Sequence, residues 1–251
     1  MVRQLLPAPE PDLDDAAILD LYAPPGGEGP FVRFNFVGTA DGASTHDGAS
    51  GVLGGDADRR VFALLRRHAD AILVGAGTVR AEGYAGELVD AAGRAWRRER
   101  GMPQHPGVAV VSGTLDLDPA SAFFAQAPVR PLLLTTGTAA ARGGDAFADV
   151  ADVVACGRDG VDPAEVLREL ARRGHRTVHS EGGPSLFAAF QEADLVDSLC
   201  LTLSPLLAGG TARRIAHGAE HPLQPLRISA LLEEDGALFL DYRRTGERTG
   251  G

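Results

Sequence analysis

The sequence predicts an α/β fold: a mixed, mostly parallel sheet with helices on both faces and antiparallel strands at its C-terminal edge. Three observations carry this. From residue 31 to about 190, short apolar runs alternate with helical patterns, the order of β-α-β units. Runs such as 71–74 and 132–134 are apolar throughout, as strands buried on both faces are. Beyond Asp194 the helical patterns stop. Residues 196–203, 227–232 and 238–242 then read as strands, the last two joined by "EEDGA", a hairpin signal.

In chain order, residues 1–30 read as an adaptor. A short helix over 12–22 has Asp12 as its cap, and "APPGGEGP" is a turn-rich connector. Residues 31–37 alternate large and polar side chains, as a strand does. A helix over 57–67 places Val61, Leu64, Leu65 and His68 at helical spacing, with Asp56 as cap. Strands follow at 71–74, 108–111, 131–135 and 150–155, and 82–106 is a partly helical excursion. The helix over 162–173 has Asp162 as cap, Pro163 at its first position and Gly174 as its stop. Strand 177–179 then enters "SEGGPSLFAAF", helical from about Gly183. The reading is one domain over 31–243, preceded by the extension 1–30 and followed by a flexible tail over 244–251.

Composition bounds the function. The 251 residues are enough for a proper core, and 44% hydrophobic with 23% charged residues is a soluble globular balance. No apolar run is long enough to span a bilayer, and no export signal is found at the N-terminus. Cys156 and Cys200 form no CxxC, which suggests neither a zinc ribbon nor a disulfide framework and points to a reducing cytoplasm. A net charge of −10 argues against nucleic acid as the partner. Small anionic ligands remain open to it, since a few arginines and helix N-termini suffice for a phosphate. No motif of a serine hydrolase, a P-loop or a zinc deaminase occurs, and no histidine pair has metal-ligand spacing, so no metal is expected.

Three glycine-bearing turns stand at predicted strand ends: "TADGAS" at 39–44, "VGAGTVR" at 74–80 and "SEGGPSL" at 180–186. Ligands of open α/β sheets settle beyond the carboxyl ends of strands. The second turn fails the dinucleotide fingerprint, because Arg80 stands where the third glycine belongs. In the third, Gly182-Gly183 frees backbone N–H groups at a helix start, and Pro184 fits the first turn, a nest suited to a pyrophosphate. Glu181 beside it would repel phosphate, so it serves backbone amides or a ribose hydroxyl. An ordinary capped turn is the plain alternative.

Together, "NFVGTADG", "DAILVGAGTV", "SEGGPSLFAAF" and "LVDSLCLTLSPLLAGG" resemble, in order and spacing, the riboflavin-pathway pyrimidine reductases, the reductase half of bifunctional deaminase-reductases. The likeness covers roughly residues 31–243. It implies a dihydrofolate-reductase-like, three-layer α/β/α fold, NADPH as cofactor, a small-molecule substrate and a homodimer built through the C-terminal strands. The implied reaction is hydride transfer to C1′ of a ribosylaminopyrimidine phosphate. By position, Gly75, Gly77 and Thr78 would face the cofactor with Val79 and Arg80 close by, and Gly182, Gly183, Pro184 and Ser185 would wrap its pyrophosphate or ribose. Ser112, Thr135 and Thr136 fall on the adenosine side. Asn35, Thr39 and Asp41 sit where the family has its first-strand polar residues: Asn35 and Asp41 as catalytic candidates, Thr39 on the substrate. Asp41-Gly42 orients a ligand or simply makes a turn.

The chain departs from its relatives after the second turn. They usually read "GTVxAD" followed by "DPxLTxR"; here the sequence is "GTVRAEGYAGELV", with Glu82 in place of the aspartate and Tyr84 in place of the proline. Arg59 keeps a family-like place where it meets a substrate phosphate, or is a solvated helix arginine. Glu82 and Tyr84 would face the substrate. The altered loop leaves two alternatives open: an NADPH-dependent reductase of another heterocycle, such as a dihydrofolate-like pterin, or a non-catalytic NADP-binding paralogue.

Overall fold

The computed structural model describes residues 1–27, 29–216, 218, 223–246 and 248. Its first half runs β1 (Arg3–Leu6), α1 (Asp15–Leu21), β2 (Phe31–Thr39), α2 (Asp56–His68), β3 (Ala71–Gly75), α3 (Ala76–Glu82), α4 (Ala91–Glu99), β4 (Gly107–Ser112) and α5 (Ala122–Ala125). The second half runs β5 (Leu132–Thr135), α6 (Gly137–Gly143), β6 (Asp152–Ala155), α7 (Pro163–Arg172), β7 (Thr177–Ser180), α8 (Pro184–Glu192), β8 (Ser198–Ser204), β9 (Leu226–Glu234) and β10 (Ala237–Arg244). The strands form one sheet in the order β1-β9-β10-β8-β2-β7-β3-β4-β5-β6. From β8 to β6 all pairings are parallel, and β10, β9 and β1 add antiparallel strands at one edge. The predicted mixed, mostly parallel sheet with an antiparallel C-terminal edge is the observed one.

Consecutive residues of the central strands serve opposite layers. Leu132 and Leu134 pack with Leu73, Phe187 and Phe190 on one face, and Leu133 joins Val74, Val110, Phe123 and Phe147 on the other. This is why these strands read as unbroken apolar runs. A third cluster sets Ile18 and Leu19 of α1 against Leu64 and Leu65 of α2, over Cys200, Leu232 and Phe239 of the sheet. In the β9–β10 hairpin, Asp235 and Gly236 both have positive φ (51° and 81°), the backbone a tight primed turn requires.

Several local expectations shift. Asp12 is not a cap: its φ of 55° makes it a turn residue, and Asp14 accepts the Ala17 N–H at 2.8 Å to start α1. Asp56 is the first residue of α2, after Gly55, and its carboxylate pairs with Arg59 at 2.6 Å instead of capping. Residues 1–30 are more than an adaptor, since β1 pairs with β9 at the sheet edge. Four half-exposed residues whose partners lie at the far end of the chain leave no periodic signal. β10 continues to Arg244, the first residue of the expected tail, and Arg248 pairs with Asp197 (Nε–Oδ1 3.0 Å). Residues 247 and 249–251 of that tail lie outside the described residues.

Candidate active site

The carboxyl ends of β2, β7 and β3 lie side by side because β7 inserts between β2 and β3. This brings the second and third glycine turns together. The Glu181 N–H donates to the Leu73 carbonyl at 3.0 Å, and the Gly75 N–H donates to the Gly182 carbonyl at 2.7 Å. Gly182 has φ 85°, and a Cβ there would meet the Phe36 ring at 3.0 Å, so only glycine fits. A Cβ on Gly183 would come within 3.0 Å of Thr78 Oγ1; one on Gly77 would meet no atom within 4 Å. Gly183 starts α8 without a side-chain cap, which leaves its first-turn N–H groups for a ligand. Together these elements bound a cavity of about 1250 Å³, walled also by Asn35 and Phe36 of β2 and by the outer face of α2.

Beneath the cavity lies a charged network. Arg66 of α2 donates through Nε and Nη2 to the two oxygens of Glu181 (2.6 and 2.8 Å) and through Nη1 to the Leu88 carbonyl (3.2 Å). The Arg66 guanidinium also stacks over Phe62 (4.4 Å) and near Tyr84 (5.9 Å). Burial pushes the Glu181 carboxyl up, but the Arg66 charge and its hydrogen bonds, with a bond to Tyr84, hold it below the usual range. Burial, then the Glu181 charge, raises the Tyr84 phenol well above its ordinary value. His179 lies 3.8 Å from Glu181, yet neither ring nitrogen has a partner, and burial pushes it down to about 3, a neutral imidazole. Asp58, on the same face of α2, lines the cavity; burial raises its carboxyl, against the Thr202 hydroxyl and Arg59.

Of the residues singled out in the sequence, the cavity wall holds Asn35, Gly75, Gly77, Thr78, Arg80, Ser112, Glu181, Gly183, Pro184 and Ser185, together with Arg59, Glu82 and Tyr84. Six lie off it. Val79 faces the core because it is on the inner side of α3. Gly182 turns its carbonyl to Gly75 and its α-carbon to Phe36. Thr135 is buried and donates to the Ser112 carbonyl at 2.6 Å, while Thr136 donates to the Gly113 carbonyl and caps α6. Both brace the end of β4, and Thr136 also borders a second, smaller cavity with Gly113 and Thr114. Thr39 donates to Asp41, whose carboxylate also accepts the Ala208 and Gly209 N–H groups. These bonds draw the Asp41 carboxyl down to about 2, and through them Asp41 clamps the 205–210 loop.

Glu181 is also committed differently from expectation, with both oxygens held by Arg66. Arg80 lines the cavity but sends Nη1 to the Asp116 carbonyl at 2.6 Å. Glu82 accepts the Ser50 N–H and hydroxyl (3.2 and 2.9 Å), tying the loop after β2 to α3. Sequence reasoning missed Asp58, Phe62 and Arg66. Their spacing of four marks a second face on α2 beside the Val61-Leu64-Leu65 stripe. Among the described residues no group of three His, Cys, Asp or Glu is placed to hold a metal, and no helix is long and apolar enough to cross a membrane.

The family model of the RibD C-terminal domain matches residues 30–234. A 2,5-diamino-6-ribosylamino-4(3H)-pyrimidinone 5′-phosphate reductase of Archaeoglobus fulgidus is 27% identical over 203 residues, 80% of this chain and 92% of that protein. The riboflavin biosynthesis protein RibD of Mycobacterium tuberculosis is 31% identical over 182 residues, 72% of this chain but only 44% of that longer protein. Among solved structures, a pyrimidine reductase-like protein of Corynebacterium diphtheriae shares the fold with a TM-score of 0.79 at 24% identity, covering 87% of this chain and 93% of that one. The yeast riboflavin biosynthesis reductase Rib7 aligns with a TM-score of 0.66 at 18% identity, covering 92% and 100%.

Proposed function

The chain belongs to the RibD C-terminal domain family, and from that membership we propose that it is an oxidoreductase of the riboflavin pathway. It reduces a ribosylaminopyrimidine phosphate with NADPH, adding hydride at C1′ so that the ribose opens to a ribityl chain. The observation that carries this reading is the pair of glycine turns at 75–78 and 182–185, joined by the Gly75–Gly182 hydrogen bond and opening into one cavity with Asn35, Glu82 and Tyr84.

The residues present suit a nicotinamide dinucleotide. Gly75, Gly77 and Thr78 on one side, and Gly183, Pro184 and Ser185 on the other, allow close backbone approach. The uncapped start of α8 suits its phosphates, and Ser112, which lines the same cavity, would serve the adenosine side. When bound, the cofactor supplies the hydride; the chain supplies position and electrostatics. Asn35 presents an amide at the cavity floor, able to donate and accept toward a pyrimidine edge. Arg59 and Tyr84 line the same cavity as the glycine turns. Asp58 holds a proton more readily than a free aspartate, which suits it to the proton that must accompany hydride addition.

A second reading, reduction of another heterocycle such as a dihydrofolate-like pterin, draws on Tyr84, which lies in the stretch where this chain departs from its relatives and joins the Arg66–Glu181 pair. A homodimer is proposed as well. It is supported by the first half of β9, where Leu226 and Ile228 are exposed and β1 pairs only from Leu231 onward. Purified protein with NADPH and either 2,5-diamino-6-ribosylamino-4(3H)-pyrimidinone 5′-phosphate or dihydrofolate, followed at the nicotinamide absorbance, tests the function. Turnover of the first substrate alone is expected. Turnover of the pterin alone selects the second reading, and tight NADPH binding without turnover of either substrate selects the non-catalytic one.

A further inference from the structure

Four arginines line the main cavity: Arg59, Arg66, Arg80 and Arg213. Three are committed. Arg59 donates to the Gly54 carbonyl (3.2 Å) and to Asp56 (2.6 Å). Arg66 spends its donors on Glu181 and Leu88, and Arg80 on Asp116. Arg213 differs. Its main chain is anchored, because its carbonyl accepts both the N–H (3.0 Å) and the hydroxyl (2.7 Å) of Ser44. Its guanidinium has no hydrogen-bond or ion-pair partner among the described residues, although it borders a cavity also lined by Asp58, Glu82, Glu87 and Glu181. Three of those acids are already engaged: Glu82 by Ser50, Glu87 by Arg94 and Glu181 by Arg66.

The loop that carries Arg213 is itself held. Asp41 grips the Ala208 and Gly209 N–H groups, and the Ala40 N–H donates to the Leu206 carbonyl at 2.9 Å. An arginine on an anchored backbone, with its fork of donors uncommitted at the mouth of a ligand cavity, is arranged to receive a planar or tetrahedral anion in bidentate fashion. We propose that Arg213 is a ligand-binding residue that grips a phosphate group of a bound ligand. This deepens the proposed function, in which both the substrate (a phosphate monoester) and the cofactor (a pyrophosphate) carry that chemistry.

The test measures binding without turnover, by titration calorimetry of the full chain with ribose 5-phosphate, D-ribose and NADPH. Arg213→Gln and Arg213→Lys are compared with the unaltered protein. A charged hydrogen-bonded pair of this kind is worth about 10- to 100-fold in affinity. Selective weakening of ribose 5-phosphate by Arg213→Gln, with partial recovery in the lysine variant, assigns Arg213 to the substrate phosphate. Selective weakening of NADPH assigns it to the cofactor pyrophosphate. Unchanged affinity for both phosphates overturns the proposal. So does an equal loss for D-ribose, which has no phosphate. Because no step requires reduction, failure of the reductase assignment in the turnover assay leaves this result readable on its own.

Discussion

The N–H of Gly75 donates to the carbonyl of Gly182 at 2.7 Å, so that two turns more than a hundred residues apart in the chain share one hydrogen bond at the mouth of the cavity. The bond exists because β3 and β7 are parallel neighbours in register. It sets the Gly77 α-carbon beside open space, where a Cβ would touch no protein atom within 4 Å. Gly77→Val is therefore expected to fold normally and to lose NADPH binding, since its side chain enters the proposed cofactor space. Calorimetric titration with NADPH, alongside thermal melting, checks this; unchanged affinity in a folded variant removes Gly77 from the cofactor site.

The Arg66–Glu181 pair makes a contrasting prediction. Side-chain exposure is 17% for Arg66 and 1% for Glu181. Replacing Glu181 with Gln leaves a largely buried guanidinium without its counter-charge, a loss of about 3–5 kcal/mol. Denaturant unfolding should show this as a lower midpoint, whatever the effect on activity.

Tyr84→Phe removes a hydroxyl bonded to that carboxylate but keeps the ring. A rise in KM for the pyrimidine substrate, with NADPH affinity unchanged, is the expected result, and a larger rise is expected for Tyr84→Ala. Loss of NADPH affinity instead would move Tyr84 to the cofactor half of the site.

On the α1–α2 side of the sheet, Asp241 accepts from Ser198 Oγ (2.6 Å) and Arg243 Nε (2.8 Å), and Ser198 in turn accepts from Arg33 Nε at 3.4 Å. Arg33, Ser198 and Asp241 are all buried. Asp241→Asn strips the single negative charge from this chain of groups and should cost about 3 kcal/mol or more. Asp241 does not itself line the cavity, so the KM of the folded enzyme should be unchanged. Chemical denaturation and steady-state kinetics on the same sample separate the two effects.

Acid should destabilise the protein before the carboxylates titrate. Burial depresses His179 to about 3 and His68 to about 4, below the ordinary histidine value of 6.5. Between those values the unfolded chain binds more protons than the folded one. The stabilisation is complete above about pH 6.5 and is lost as pH falls, at about 1.4 kcal/mol per pH unit for each histidine. The melting temperature should fall steadily from pH 6.5 toward 4, and less steeply in His179→Gln. A flat profile over that range would contradict the buried, neutral state of both rings.

The sequence by itself determined the local pieces. Apolar runs marked the parallel strands, "DPAEVL" marked the start of α7, and "EEDGA" marked the hairpin, because each signal lies within a few residues of its effect. Motif order was enough to suggest the family and its sheet. The tertiary structure alone decided which polar groups meet. Arg66 reaches Glu181 across 115 positions, and Asp41 reaches Gly209 across 168. Such partners are set by the order in which strands enter the sheet, which no local pattern encodes. For the same reason the bonds of Thr135 to Ser112, of Thr136 to Gly113 and of Asp41 to Gly209 were not legible in the sequence. In "VGAGTVRAEGY" the glycines declare the turn locally. Only the packed fold shows that Arg80 points to Asp116, and that Tyr84 stands beside Arg66 over a buried carboxylate.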